Sequence, residues 1–184
     1  MCKQLWGKNK KKIGVAPAVA LCNPKYSHNI GQSIRAASCF GVKQVWYSGN
    51  RITLDEYGKK HRLPREERMK GYKDVELHQF DYFFEQFPKD VTPVAVELRE
   101  GSEMLTQFEH PEKAVYIFGP EDGSIPSVQL QHCHRFVVIP TRHCVNLSAA
   151  VYLLLYDRFM KRQQAGLEPM CMDDIMDEHR GFIQ

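Results

Sequence analysis

Apolar residues in this chain fall into short runs. Ala18 to Cys22, Gln44 to Tyr47, Pro93 to Leu98, Ala114 to Phe118 and Phe136 to Ile139 are rich in valine, isoleucine and aromatics, with little alternation of polar positions. Such runs predict parallel strands buried on both faces. Between them, His28 to Phe40 before Gly41, Phe80 to Phe87 before Pro88, Ser127 to His132, and Asn146 to Arg162 have helical spacing. Strand and helix signals that alternate this way predict an α/β domain, a parallel sheet with helices on both faces. No internal repeat or low-complexity tract interrupts it.

The last long helix differs from an ordinary surface helix. Leu147, Ala150, Val151, Leu154 and Leu155 form one stripe, and Tyr152, Leu153 and Tyr156 cover the opposite side. A helix that is apolar nearly all round has to be covered on two sides, in the sheet layer or across a subunit boundary. A homodimer contact is the expectation here. Beyond Gly166 and Pro169, Met170, Met172, Ile175 and Met176 stand among acids, a pattern open to a short docking helix or a frayed end.

Three of the strand runs end in polar turns that lead toward helices: Leu21-Cys-Asn-Pro through Asn29-Ile-Gly31-Gln-Ser-Ile-Arg35, Ile117-Phe-Gly-Pro-Glu-Asp-Gly123, and Ile139-Pro-Thr-Arg-His-Cys-Val-Asn-Leu-Ser-Ala-Ala150. In open α/β sheets ligands bind beyond the carboxyl ends of the strands, so the three turns point to one composite site.

With 184 residues, 43% hydrophobic and 26% charged, the chain suits one soluble core. It has no apolar stretch of the roughly 18 residues a membrane span needs and no signal-peptide core, so a cytoplasmic protein with no membrane partner is expected. The six irregularly spaced cysteines then read as reduced thiols. The net charge of +3 conceals an asymmetry, since Glu168, Asp173, Asp174, Asp177 and Glu178 lie near the end. Residues 1–167 alone hold 24 bases and 17 acids. Lysines crowd the start, Lys3, Lys8, Lys10, Lys11 and Lys12, and a second basic run holds Lys59, Lys60, Arg62, Arg65, Arg68, Lys70 and Lys73. Clustered cations suit a phosphate backbone, because binding releases its condensed counterions; a solvated terminus and loop would show the same composition.

Several chemistries are disfavoured. The chain lacks a G-x-G-x-x-G turn, a phosphate loop ending in Gly-Lys-Ser/Thr and a G-x-S-x-G elbow. His132-Cys133-His134 and His143-Cys144 lack the spacing of metal-ligand pairs, so no metal is expected. Within the turns, Gly119 and Gly123 permit close approach to a ligand, or merely a tight connection, and Glu121 could cap a helix or hold a ligand. Arg35, in the body of the first helix, is either a surface residue or a bidentate grip on a phosphate.

Taken in order, the three turns resemble the signature motifs of the SpoU (TrmH-like) branch of the SPOUT superfamily of RNA methyltransferases. The first motif, N-P-x-N-x-G-N-x-x-R-x-x-x-x-F-G, is matched by Asn23-Pro24, Asn29-Ile-Gly31, Arg35 and Phe40-Gly41, with four intervening residues instead of one. The second resembles Phe118-Gly-Pro-Glu121-Asp-Gly123-Ser-Ile-Pro126, and the third Ile139-Pro140 through Cys144-Val-Asn146-Leu-Ser-Ala-Ala150. The likeness spans residues 18 to about 160. It implies a parallel α/β fold with a C-terminal trefoil knot, a homodimer, S-adenosyl-L-methionine as cofactor, and methylation of a ribose 2′-hydroxyl of tRNA or rRNA. The implied domain runs over 18–163, between a basic extension (1–17) and an acidic tail (164–184). By the same resemblance Arg35 would stabilise the attacking oxygen, with Asn29, Glu121 and Asn146 fixing Arg35 and the ribose. Glu97, Leu98, Gly119, Ile139, Cys144 and Val145 would cradle the cofactor. Lys10, Lys11, Lys12, Lys59, Lys60, Arg62 and Arg65 would contact RNA. Gln32 stands where the family has a second asparagine, and Cys144 where it has serine, so an RNA-binding protein without turnover is the alternative reading.

Overall fold

The computed structural model describes residues 16–52, 74–168 and 170–180. Its centre is a seven-stranded sheet in which every pairing is parallel. In chain order the strands are β1 (Ala18–Leu21), β2 (Gln44–Tyr47), β3 (Glu76–Gln79), β4 (Thr92–Val96), β5 (Glu103–Met104), β6 (Ala114–Phe118) and β7 (Arg135–Val138). Across the sheet they lie in the order β3-β2-β1-β6-β4-β7-β5. The helices are α1 (Ser27–Cys39), α2 (Ser127–Leu130), α3 (Leu147–Gln164) and α4 (Met172–Arg180).

The lack of alternation in the strand sequences follows from burial on both faces. Val19 and Leu21 of β1, Val45 and Tyr47 of β2, and Tyr116 and Phe118 of β6 point into one core, which Ile30 and Ile34 of α1 and Val151, Leu154 and Leu155 of α3 complete. Ala18, Ala20, Trp46, Val115 and Ile117 point the other way, under Phe83, Ile125 and Cys133. Every residue of β1, β2 and β6 is buried. Burial of about 1.5–3 kcal/mol per large apolar side chain on each face gives these central strands their hold.

Three differences from the sequence expectations have physical causes. Phe80 to Phe87 forms only a single 3-10 turn, Phe84–Gln86, rather than a helix. Its aromatics have helical spacing, but their main contacts lie outside the segment: Phe80 and Phe87 pack against Trp46 and Phe84 against His132, with Phe84 and Phe87 also edge to face. A segment this short gains little from helical nucleation. The two outer strands, β3 and β5, carry Glu-Leu-His-Gln and Glu-Met, with none of the β-branched residues that mark the inner ones. They pair because neighbouring strands offer open edges. The end of the chain, left open by sequence, contains the helix α4.

Below the amino end of β6, α3 is tied down by a polar cluster. Arg158, 5% exposed, donates to the carbonyls of Pro111 and Glu112, each at 2.8 Å, and to the Tyr116 hydroxyl at 3.3 Å. His110 sits between the Tyr116 hydroxyl (2.7 Å) and Asp157 (2.8 Å), while Lys161 pairs with the same Asp157 at 2.7 Å. Burial outweighs the Asp157 hydrogen bond and pushes the His110 pKa down to about 4. The folded protein therefore holds this imidazole neutral, whereas the unfolded chain takes up a proton near pH 6.5. The resulting stabilisation is complete above pH ~6.5 and is lost as pH falls toward ~4, by up to about 1.4 kcal/mol per pH unit. Acid unfolding of the His110→Gln variant should show a flatter stability profile across that window.

Candidate active site

The strand order reverses at β1 and β6. From β1 the chain builds outward through β2 to β3, and the later strands fill the other side. Such a switch point leaves a crevice beyond the carboxyl ends of the flanking strands. All three polar turns emerge there or on the adjoining strands, after β1, β6 and β7.

Glu121, in the turn after β6, is the hub. Its Oε2 accepts the Lys25 backbone N–H at 2.7 Å, and its Oε1 accepts the Tyr26 N–H at 3.3 Å and the Asn29 Nδ2 at 2.5 Å. A carboxylate there satisfies backbone donors at the start of α1 and lies at the positive end of its dipole. Asn29 is fully buried. Its Oδ1 in turn accepts Asn146 Nδ2 at 3.0 Å, and Ser148 Oγ lies 3.4 Å away. Asn146 caps α3, its Oδ1 accepting the N–H groups of Ser148 (2.9 Å) and Ala149 (3.3 Å) and the Ser148 hydroxyl at 2.7 Å. Residues separated by 92 and 117 positions thus share one continuous chain of hydrogen bonds. Ser148 joins it without having been singled out from sequence. Its place in the first turn after an asparagine cap is the signal that could have marked it.

Asn23 adopts the left-handed conformation, φ 43°, that asparagine tolerates better than most residues. Its amide packs so closely on Gly49, after β2, that a Cβ at Gly49 would stand 2.2 Å from the Asn23 Oδ1. Beside Glu121, Asp122 accepts from Arg51 at 2.6 Å and lies 3.6 Å from Lys25 Nζ. The Arg51 hydrogen bond holds the Asp122 carboxyl below the usual carboxylate range.

Arg35 stands apart from this network. Six residues past Asn29 place it about 9 Å along α1 and on another face. Among the described residues no hydrogen bond joins it to Asn29, Glu121 or Asn146. Arg35 is near enough to Tyr152 of α3 to oppose the rise that burial, the main cause, imposes on the pKa of that hydroxyl. Beyond Tyr152 on the same helix, Leu153 and Tyr156 are 41% and 54% exposed. Tyr152 packs on the core beside Phe40, so among the described residues the second apolar side of α3 is open at Leu153 and at the outer part of Tyr156.

The residues expected to cradle a cofactor gather at three adjacent strand ends. Glu97 and Leu98 follow β4, Gly119 follows β6 and Ile139 follows β7, with β4 between the other two. The Glu97 carboxylate accepts the Ile125 N–H at 2.9 Å and so ties down the turn after β6. That turn folds back over Gly119, where an added Cβ would meet the Ile125 nitrogen at 3.0 Å and the Ser124 carbonyl carbon at 3.2 Å. Leu98 is 78% exposed and Val145 37% exposed, apolar side chains offered to solvent after β4 and β7. An adenosine-bearing ligand needs apolar contact for its base and backbone groups for its polar edges, and this set fits both needs. Cys144 is exposed in the loop after β7, whereas burial pushes the thiols of Cys22 and Cys133 up to about 12 and leaves them unreactive. The expected RNA contacts Lys10, Lys11, Lys12, Lys59, Lys60, Arg62 and Arg65 lie outside the described residues. Among the described residues no helix is long and apolar enough to cross a membrane.

Comparison with known proteins agrees with this geometry. The chain is 23% identical over 179 residues to the tRNA (cytidine-2′-O-)-methyltransferase TrmJ of Methanocaldococcus jannaschii, a match covering 90% of this chain and 77% of TrmJ. Its fold is similar to that of the A. aeolicus TrmH/SpoU tRNA modifying enzyme, with TM-score 0.67, 19% identity, and 97% and 90% of the two chains covered. It is also similar to the SpoU methyltransferase AviRb of Streptomyces viridochromogenes, solved with AdoMet, at TM-score 0.65 and 16% identity. That match covers 83% of this chain but 64% of AviRb, so the chain spans somewhat under two thirds of that relative's length. The family model of the SpoU rRNA methylases matches residues 16–156, which contain all three polar turns and the whole sheet, and the chain belongs to that family.

Proposed function

We propose that this protein transfers a methyl group from S-adenosyl-L-methionine to a ribose 2′-hydroxyl of RNA, with tRNA favoured over rRNA because the curated relative TrmJ is a tRNA 2′-O-methyltransferase. The observation that carries this reading is the Asn29–Glu121–Asn146 network, which draws the three family motifs into one site at the switch point. When bound, AdoMet supplies a methyl group made electrophilic by its sulfonium. Leu98, Gly119, Ile139 and Val145 would hold the cofactor at the ends of β4, β6 and β7, and Asn146 and Glu121 would position the ribose. The 2′-oxygen would displace the methyl group from sulfur, the C–O bond forming as the C–S bond breaks and S-adenosylhomocysteine leaves; the hydroxyl proton would pass to water, and Arg35 would meet the negative charge developing on the oxygen. With a pKa above about 12, arginine serves as an electrostatic partner rather than a base. The same chain in the cytoplasm, with its C-terminal segment threaded as a trefoil knot, completes the reading. Labelled methyl recovered from RNA as 2′-O-methylnucleoside tests it.

Among the described residues Arg35 makes no hydrogen bond to the network, and it comes near α3, where Leu153 and Tyr156 are partly exposed on one face. The protein acts as a homodimer through that face, and Arg35 of one protomer serves the site of the other. Mixing Arg35→Ala with Asn146→Ala protein, each inactive alone, should restore about a quarter of wild-type activity. Random pairing makes half the dimers mixed, and each mixed dimer has one intact site. No recovery on mixing would place Arg35 in its own protomer's site.

A further inference from the structure

Two aromatic rings in the turn that opens α1 lie outside the core formed by the described residues. Tyr26 is 46% exposed, and His28 is exposed as well. Their centroids lie 5.3 Å apart with the planes 22° from parallel, a stacked pair, and the Lys25 ammonium is 5.5 Å from the Tyr26 centroid. Neither ring belongs to a core cluster, and Tyr26 caps α1 with no side-chain hydrogen bond. Yet the pair is rigidly placed. The backbone N–H groups of Lys25 and Tyr26 are held by Glu121, and Asn29, one residue past His28, is held by the same carboxylate. The rings are therefore anchored to the catalytic network itself.

Charge does not explain this patch. Lys25 and Arg51 are matched by Glu121 and Asp122, and both cations lean on Asp122. The turn offers π-surface instead of net positive potential. A nucleobase is the complementary ligand, because every base has a π-face, and stacking on aromatic side chains contributes affinity without demanding a particular sequence. A base inside a duplex has both faces covered, so such a platform selects an unpaired nucleotide.

We infer that the Tyr26–His28 pair is a stacking platform for an unpaired base of the substrate RNA, beside the ribose that is methylated. The inference rests on the RNA methyltransferase reading above, and it predicts a target in a loop or single-stranded segment.

The test uses the full chain and two fluorescein-labelled single-stranded RNAs of about 12 nucleotides, within the usual site sizes, one of mixed sequence and one with abasic positions through its centre. Binding is followed by anisotropy. Wild-type protein should bind the base-bearing RNA roughly tenfold more tightly than the abasic one at equal charge. Tyr26→Ala or His28→Ala should remove that difference, and Tyr26→Trp should keep it. Raising salt from about 50 to about 200 mM should weaken both RNAs while leaving their ratio in place, since counterion release depends on phosphates alone. Equal affinities for the two RNAs, or no binding of either, would overturn the platform. In methyl transfer, Tyr26→Ala should raise the KM for RNA about tenfold with kcat and AdoMet affinity unchanged. Loss of kcat or of AdoMet binding at constant KM would assign Tyr26 a structural role instead. Because anisotropy needs no AdoMet, a protein that stacks bases but transfers no methyl would overturn the enzymatic reading and spare the platform.

Discussion

Glu121→Ala should lower methyl transfer at least about 100-fold, the loss expected when reacting groups are misplaced by as little as an ångström. The two oxygens of Glu121 accept from Lys25, Tyr26 and Asn29, and Asn29 passes the constraint to Asn146. Alanine would leave two backbone donors and a buried amide without their partner at the start of α1. Hydrogen bonds to a charged group are each worth about 1.5–3 kcal/mol, but Glu121 is only half-buried, so solvent replaces part of what is lost. A net cost of about 2–4 kcal/mol is expected. Denaturant unfolding beside single-turnover kinetics separates the two effects: activity should fall far more than the folded fraction. Glu121→Gln retains the shape, but its amide nitrogen cannot accept, so it should rescue stability in part and activity very little.

The second large effect is expected from Asn29→Asp, a change of one atom. The new carboxylate would face Glu121 Oε1 from a fully buried position, across what is now a 2.5 Å hydrogen bond. Two like charges at about 4 Å repel by about 4 kcal/mol at an effective dielectric of 20. The pair avoids this by sharing a proton, so one folded-state pKa rises above its unfolded value. Its stabilising share is then present at low pH and lost as pH rises through that raised value. The variant should thus be strongly destabilised at neutral pH and regain stability in acid, the reverse of the trend that His110 imposes on the wild type. A stability profile with no recovery in acid would contradict the direct Asn29–Glu121 contact.

The inner sheet was legible because burial on both faces leaves a plain trace: Ala-Val-Tyr-Ile-Phe can be little else once it is flanked by turns. The outer strands were not, since Glu-Leu-His-Gln is a strand only when a neighbour supplies the edge. Phe80 to Phe87 misled for the opposite reason, as ring spacing suited to a helix serves contacts with Trp46 of the sheet and His132 beyond α2. In the site, motif order revealed Asn29, Glu121 and Asn146, whose side chains do meet. Spacing alone sets Arg35 on a different face of α1 from Asn29; that it comes near Tyr152 of α3 depends on which face of α1 packs on α3, which sequence could not show. Nor could it show the stacked Tyr26 and His28, whose geometry is set by the grip of Glu121, 95 residues from Tyr26.

The central claim is tested most directly by incubating the purified protein with tritiated AdoMet and RNA from a strain lacking its gene, digesting the RNA, and separating the nucleosides, with Arg35→Ala in parallel. Label in a 2′-O-methylnucleoside, traced to the tRNA fraction and lost in the variant, is the expected result. AdoMet bound without label in any RNA, or label recovered on a base rather than a ribose, would contradict it; the first outcome would describe an RNA-binding protein that has kept the fold and lost turnover.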